Sequence, residues 1–219
     1  MRHSGKITLA ALALTALTAC NNGSADEQGG GIFGALSQTA RQAIATRNAP
    51  EEAATPAKSP AEAAAEALRV NPAPLIQVGF ESLGRTQIMA MTGQNGAMRT
   101  YMTASEEALI MRGGMLVGTR GLGHDLSVAE PGTESLIRAQ ASGSGTRVMR
   151  YFSGDGLERP LQFACTTAPG PKPGVTVEAC EGHGTSFQNS YIAQGGQILV
   201  SRQWIGPDLG YVTIQTLRP

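Results

Sequence analysis

Neither sign of charge is in excess in this chain: 17 Lys and Arg stand against 17 Asp and Glu, with three histidines besides. Gripping nucleic acid through its phosphates requires a basic footprint, so that class of partner is excluded. Aromatic residues are scarce as well, at 5% with a single tryptophan. The strands of a membrane-spanning barrel would need aromatic girdles and about ten residues of sustained alternation. No apolar run reaches the roughly 20 residues of a spanning helix. Motifs that carry chemistry are missing too. There is no G-x-S-x-G elbow to expose a serine nucleophile and no glycine loop leading into a helix with Lys-Ser/Thr to cradle phosphate. Histidines and cysteines do not cluster at zinc spacing, so no metal and no cofactor is expected.

What is present starts at the first residue. Met1 to Lys6 is short and basic, Ile7 to Ala16 is apolar, and Leu17-Thr18-Ala19-Cys20 closes the run with small residues before a cysteine. That is the layout of a secretory signal peptide. Its last four residues resemble a bacterial lipobox, which implies cleavage before Cys20 and lipid on the thiol. Two or more acyl chains, at ~0.8 kcal/mol per buried CH₂, hold a protein on a membrane. Asn21, rather than the aspartate that marks inner-membrane retention, points to the outer membrane with the domain facing the periplasm. Thiols oxidise in that compartment. With Cys20 consumed by lipid, Cys165 and Cys180 remain, flanking the turn Pro169-Gly-Pro-Lys-Pro-Gly174 in two strand-like stretches. A structural disulfide is expected there, stabilising by roughly 3 kcal/mol.

Composition divides the chain into a signal peptide over residues 1–19, a lipidated tether over 20–58 with a marginal helix at Ile32 to Thr46, and a β-rich domain over 59–219. The tether has too little apolar surface to fold. Ser59-Pro60-Ala61-Glu62 is a capping box with proline at the first helical position, and Asn71-Pro72 stops the helix. From Leu75 the period changes to two. Asn95-Gly96, Gly113-Gly114, Ser153 to Gly156 and Gly195-Gly196 mark tight turns between short strands. Glu130 to Ile137 reads as a loop or short helix, and Gly143-Ser-Gly145 as a flexible run. The fold class is mainly β, an antiparallel up-and-down barrel or curved β-sandwich with one short N-terminal helix.

No constellation selects a catalytic residue. His124-Asp125 and His183 sit among glycines, and no carboxylates are spaced as a pair. Trp204 alternates with Gln203 and Ile205 as a strand does. Buried core is the default for a lone tryptophan, with a sugar-stacking platform the minor reading. Trp204 and His124 are the candidate contacts to a glycan or a partner.

Leu109 to Leu126, a strand, a glycine turn and a strand leading into Thr-x-Gly-Leu, resembles the central signature of the YjbF/GfcB lipoproteins. Ser201-Arg-Gln-Trp-Ile-Gly-Pro-Asp-Leu-Gly210 resembles their C-terminal signature, with Asn189-Ser-Tyr191 ahead of it. The resemblance implies a β-rich, periplasm-facing lipoprotein made alongside exopolysaccharide or group 4 capsule secretion proteins, and it brings no catalytic residue. The expected function is a non-enzymatic accessory of polysaccharide assembly or export. Its partners would be the membrane through the lipid, secretion proteins of the same operon, and the polysaccharide itself. A periplasmic polysaccharide-modifying enzyme is the alternative.

Overall fold

A computed structural model describes residues 58–152 and 157–219. The stretches expected from sequence to be the signal peptide and, as far as residue 57, the tether, with Cys20, and the turn expected at Ser153 to Gly156 lie outside the described residues.

Helix α1 (Pro60–Val70) starts where the capping box places it. The Glu62 amide donates to Ser59 Oγ at 3.3 Å, and the Glu62 carboxylate accepts from the Ser59 amide at 2.8 Å. Asn71 caps the other end, its amide donating to the Ala67 carbonyl. Arg218 then ties the helix to the last strand by donating to the carbonyls of Leu68, Asn71 and Ala73.

Twelve strands follow in chain order: β1 (Leu75–Phe80), β2 (Arg85–Asn95), β3 (Met98–Met102), β4 (Ala108–Arg112), β5 (Met115–Arg120), β6 (Leu126–Pro131), β7 (Gly143–Phe152), β8 (Glu158–Pro169), β9 (Val175–Gly182), β10 (Thr185–Gln194), β11 (Gln197–Gly206) and β12 (Gly210–Arg218). A second helix, α2 (Glu134–Ala139), joins β6 to β7. Each strand pairs antiparallel with its neighbour in sequence, except at one joint, and β1 also pairs with β12. The result is an up-and-down barrel closed everywhere but between β5 and β6. Of the two expected architectures, the barrel is the one formed.

At the β5–β6 joint no ladder bonds run between the strands, although they lie close together. A Cβ on Gly118 would stand 3.2 Å from the Ser127 carbonyl oxygen. Side chains do the joining instead. Thr119 Oγ1 accepts from the Leu126 amide at 2.9 Å and donates to Asp125 at 2.8 Å, and that carboxylate also accepts from the Gly121 and Leu122 amides at 2.8 and 3.2 Å.

One local difference from the sequence reading concerns Gly143-Ser-Gly145, which opens β7 rather than forming a loop; of the two readings of Glu130 to Ile137, the short helix is formed, over Glu134–Ala139. Glycine is used here for close approach: a Cβ on Gly143 would sit 2.7 Å from Leu136 of α2, and one on Gly145 would sit 3.0 Å from Thr133. The helix thereby packs at the end of the barrel that carries the Gly113-Gly114 and Gly195-Gly196 turns. Arg138 holds it there, donating to the carbonyls of Arg112 and Gly196 at 3.0 and 2.9 Å. Ile137 is buried against Met115, Tyr191, Ala193 and Ile198.

Apolar side chains fill the rest of the interior. Val78, Phe80, Met89, Leu109, Ile205 and Val212 pack at one side, and Met149, Phe163, Phe187, Trp204 and the Cys165–Cys180 disulfide at the other. Among the described residues no helix is long and apolar enough to cross a membrane. The outward positions include Glu130, Arg150, Glu181 and Gln188. That is not the apolar band of a lipid-facing barrel.

Candidate functional site in the barrel interior and on its outer face

Alternation along β9 puts Thr176, Glu178 and Cys180 inside, and alternation along β7 puts Arg147 and Met149 inside. The two charged residues meet in the core with almost no solvent contact, at 2% and 0% side-chain exposure. Arg147 Nη2 donates to Glu178 Oε2 at 2.7 Å and to the Tyr191 hydroxyl at 3.1 Å. Tyr191 OH and Asn189 Nδ2 donate to the same carboxylate oxygen at 3.1 and 2.8 Å, and the Thr133 hydroxyl donates to the other. Burial alone would raise the Glu178 carboxyl. The Arg147 charge, with the hydrogen bonds from Arg147, Thr133 and Asn189, outweighs it and holds the group below the usual carboxylate range. Burial likewise works against the Arg147 charge, and Tyr191 and Glu178 overcome it. Burial pushes the Tyr191 hydroxyl up, so it stays a proton donor.

The motif residues Asn189, Tyr191, Ser201 and Gln203 are bonded inward from this centre. Asn189 Oδ1 accepts from the Trp204 amide at 2.7 Å, where the β10–β11 ladder has ended. Gln203 accepts from the Leu116 amide at 3.2 Å and donates to Ser201 Oγ at 2.9 Å, bringing β11 to β5 across the interior. Tyr211 enters the same split from outside, its hydroxyl accepting the Gln188 amide at 3.1 Å.

Of the candidates from sequence, Cys165 and Cys180 oppose each other directly across β8 and β9 and are bonded. Their sulfurs lie near Glu178 in a grouping of metal-ligand type. Sulfurs joined to each other offer no thiolate, and Glu178 is already engaged. Trp204 is 8% exposed, stacked on Phe187 with centroids 4.4 Å apart and edge-on to Phe163 at 6.0 Å. His124 is exposed at the opposite end of the barrel from α2. Its Nδ1 lies 3.4 Å from Asp208, beside a cleft of about 390 Å³ that Tyr151 and Leu161 also line. His183 occupies the β9–β10 turn, where Nε2 accepts the Gln162 amide at 3.1 Å. The two histidines do not come together in one site. Arg147 and Glu178 were missed from sequence, although one signal existed: once Cys180 points inward, Glu178 two residues earlier shares its face.

A concavity of about 970 Å³ lies on the outer face of β7–β10 against Arg202 and Tyr211.

A family model described as "Group 4 capsule polysaccharide lipoprotein gfcB, YjbF" matches residues 37–217. No curated protein matches the chain significantly. Among solved structures, the hypothetical lipoprotein YmcC from Escherichia coli (K12) is similar with a TM-score of 0.59 at 15% identity, over 89% of this chain and 98% of that one. At that identity the likeness is one of fold.

Proposed function

The chain belongs to the YjbF family of group 4 capsule polysaccharide lipoproteins, and on that premise we propose that it is a non-enzymatic accessory in assembly or export of an extracellular polysaccharide. Cys20 holds it in the outer membrane and the barrel faces the periplasm. There it engages secretion proteins of the same operon, the glycan, or both.

The observation that carries this reading is where the motif polar groups and the buried Arg147–Glu178 pair make their bonds. Glu178, Arg147, Asn189, Tyr191 and Gln203 are buried and bonded to each other or to backbone. A general acid or base must instead reach a substrate proton. The signatures build a rigid barrel, and a rigid anchored barrel suits a scaffold. The exposed His124–Asp208 contact at 3.4 Å, beside its cleft, is the feature that would serve the alternative, a polysaccharide-modifying enzyme.

Secreted polysaccharide in a deletion strain, complemented by each variant at matched protein level, separates the two. Cys20→Ser is expected to impair secretion, because tethering raises the local concentration on which a membrane complex depends. His124→Ala and His183→Ala are expected to support it. Loss of secretion in His124→Ala with the fold intact would move the assignment to the enzyme.

A further inference from the structure

Several ionic side chains on the barrel are tied to each other: Arg85 to Glu107, Arg112 and Arg138 to Glu134, Arg150 to Glu130, Arg202 to Glu81. The outer face of β7–β10 has a different chemistry. Strand register lays its outward residues in two cross-strand rows, Thr146–Ala164–Glu181–Ser186 and Ser144–Thr166–Ala179–Gln188. Small side chains make the floor, and the taller Arg202 and Tyr211 make a wall, so the face is hollowed into the groove of about 970 Å³. Such a volume is at the upper end of the roughly 300–1,000 Å³ of small-ligand sites.

The wall is held in place before any ligand arrives. The Arg202 guanidinium lies 3.5 Å over the Tyr211 ring and donates twice to Glu81 at 2.7 Å, while the Tyr211 hydroxyl is bonded to the Gln188 amide. The polar side chains of the rows are in the opposite condition. Those of Ser144, Thr146, Thr166, Glu181, Ser186 and Gln188 make no hydrogen bond or ion pair to any described residue.

We infer that this groove binds a stretch of uncharged, hydroxyl-rich glycan, a reading that rests on the proposed accessory role. Sugar hydroxyls donate and accept, and the rows offer hydroxyls that do both, a carboxylate that accepts and an amide that does each. The Ala164 and Ala179 methyls give a flat floor to the C–H face of a sugar ring. Among the described residues that line the groove, Glu181 is the one charge without an ion pair, and it is negative, so phosphate and other polyanions are poorly matched. The β7–β8, β8–β9 and β9–β10 ladders are complete along these rows, and where β10 parts from β11 the Gln188 amide is already taken by the Tyr211 hydroxyl, which leaves little strand edge for an added peptide strand. A protein partner would seek a buried apolar or aromatic anchor, and two alanines do not supply one. The fixed wall also lowers the ordering cost of binding.

The test is calorimetric titration of the full chain in detergent with short oligosaccharides released from the producing strain's own extracellular polysaccharide. Malto-oligosaccharides of equal length are the control. Ala164→Tyr fills the floor at an exposed strand position that favours large β-formers, so it leaves the fold intact. It is expected to weaken binding at least ~10-fold, the equivalent of about 1.4 kcal/mol. Glu181→Gln should weaken it severalfold, and Glu106→Gln, on the β3–β4 turn, should leave it unchanged. No binding by the unmodified protein overturns the inference. So does equal binding by Ala164→Tyr, which would place the glycan elsewhere and leave the accessory role standing. If the unmodified protein binds no oligosaccharide but Ala164→Tyr abolishes secretion in the complementation assay, the groove is a protein-docking face and this inference fails alone.

Discussion

Arg147 and Glu178 set a price on the barrel's interior. Desolvating two charges costs several kcal/mol per ion, and only close geometry with further hydrogen bonds repays it. Here Thr133, Asn189 and Tyr191 complete the set. Arg147→Met would strand the carboxylate and is expected to lower stability by about 3–5 kcal/mol in urea unfolding. The pH dependence should also reverse. In the native protein Glu178 ionises below its unfolded value of about 4.3. Its contribution is therefore present above that pH and lost as pH falls through the folded pKa. In Arg147→Met the buried carboxyl rises above the unfolded value. Stability is then greatest in acid and falls as pH climbs from about 4.3. Urea midpoints between pH 3 and 8 check the sign, and a variant with the native slope would show that Arg147 does not govern Glu178.

Strands β10 and β11 show how an element can be held where its ladder stops. Past Ser190 and Arg202 the regular pairing ends, and Asn189 supplies the acceptor that the Trp204 amide lacks. Asn189→Ala removes that acceptor and a donor to Glu178. With each unsatisfied buried group costing ~1–3 kcal/mol, a loss of about 2–4 kcal/mol is expected, with a change in the emission of Trp204. Unfolding at the native urea midpoint would refute this account of the split. Features of this kind are hard to read in sequence, whereas features of local covalent geometry are not. The capping box at Ser59, the turns at Asn95-Gly96, Gly113-Gly114 and Gly195-Gly196, and the opposed Cys165 and Cys180 each follow from a few adjacent residues, and each was legible. The facing of β7 was not. Met149 and Tyr151 turn inward, but Val148 and Phe152 on the other face are as apolar, so period two alone could not decide that Arg147 enters the core. Gly143 and Gly145 misled for a related reason: they serve contacts with α2, which no local pattern records.

For the whole molecule, covalent order and hydrogen-bond order are out of step by several strands. The first and last strands are zipped together from Leu75 with Arg218 to Phe80 with Val212. The joint that lacks a ladder, β5 to β6, is bridged by continuous chain. Considered by its bonding alone, the barrel is a meander running from β6 through β12 and β1 to β5. Its sequence is a circular permutation of that meander. Moving the break to the seam should therefore cost little. Helix α1 is about 16 Å long, so a Gly/Ser linker of roughly ten residues would reach from Pro219 back to Ser59. A protein so joined and opened between Gly123 and His124 is expected to fold with native far-UV circular dichroism, native Trp204 emission and the Cys165–Cys180 bond in place. One opened within β9, between Val177 and Glu178, should not. If the seam permutant fails while the β9 permutant folds, the side-chain stitching by Thr119 and Asp125 is worth more than the ladder it replaces. If it succeeds, the point at which evolution began this chain is a choice the barrel itself does not make.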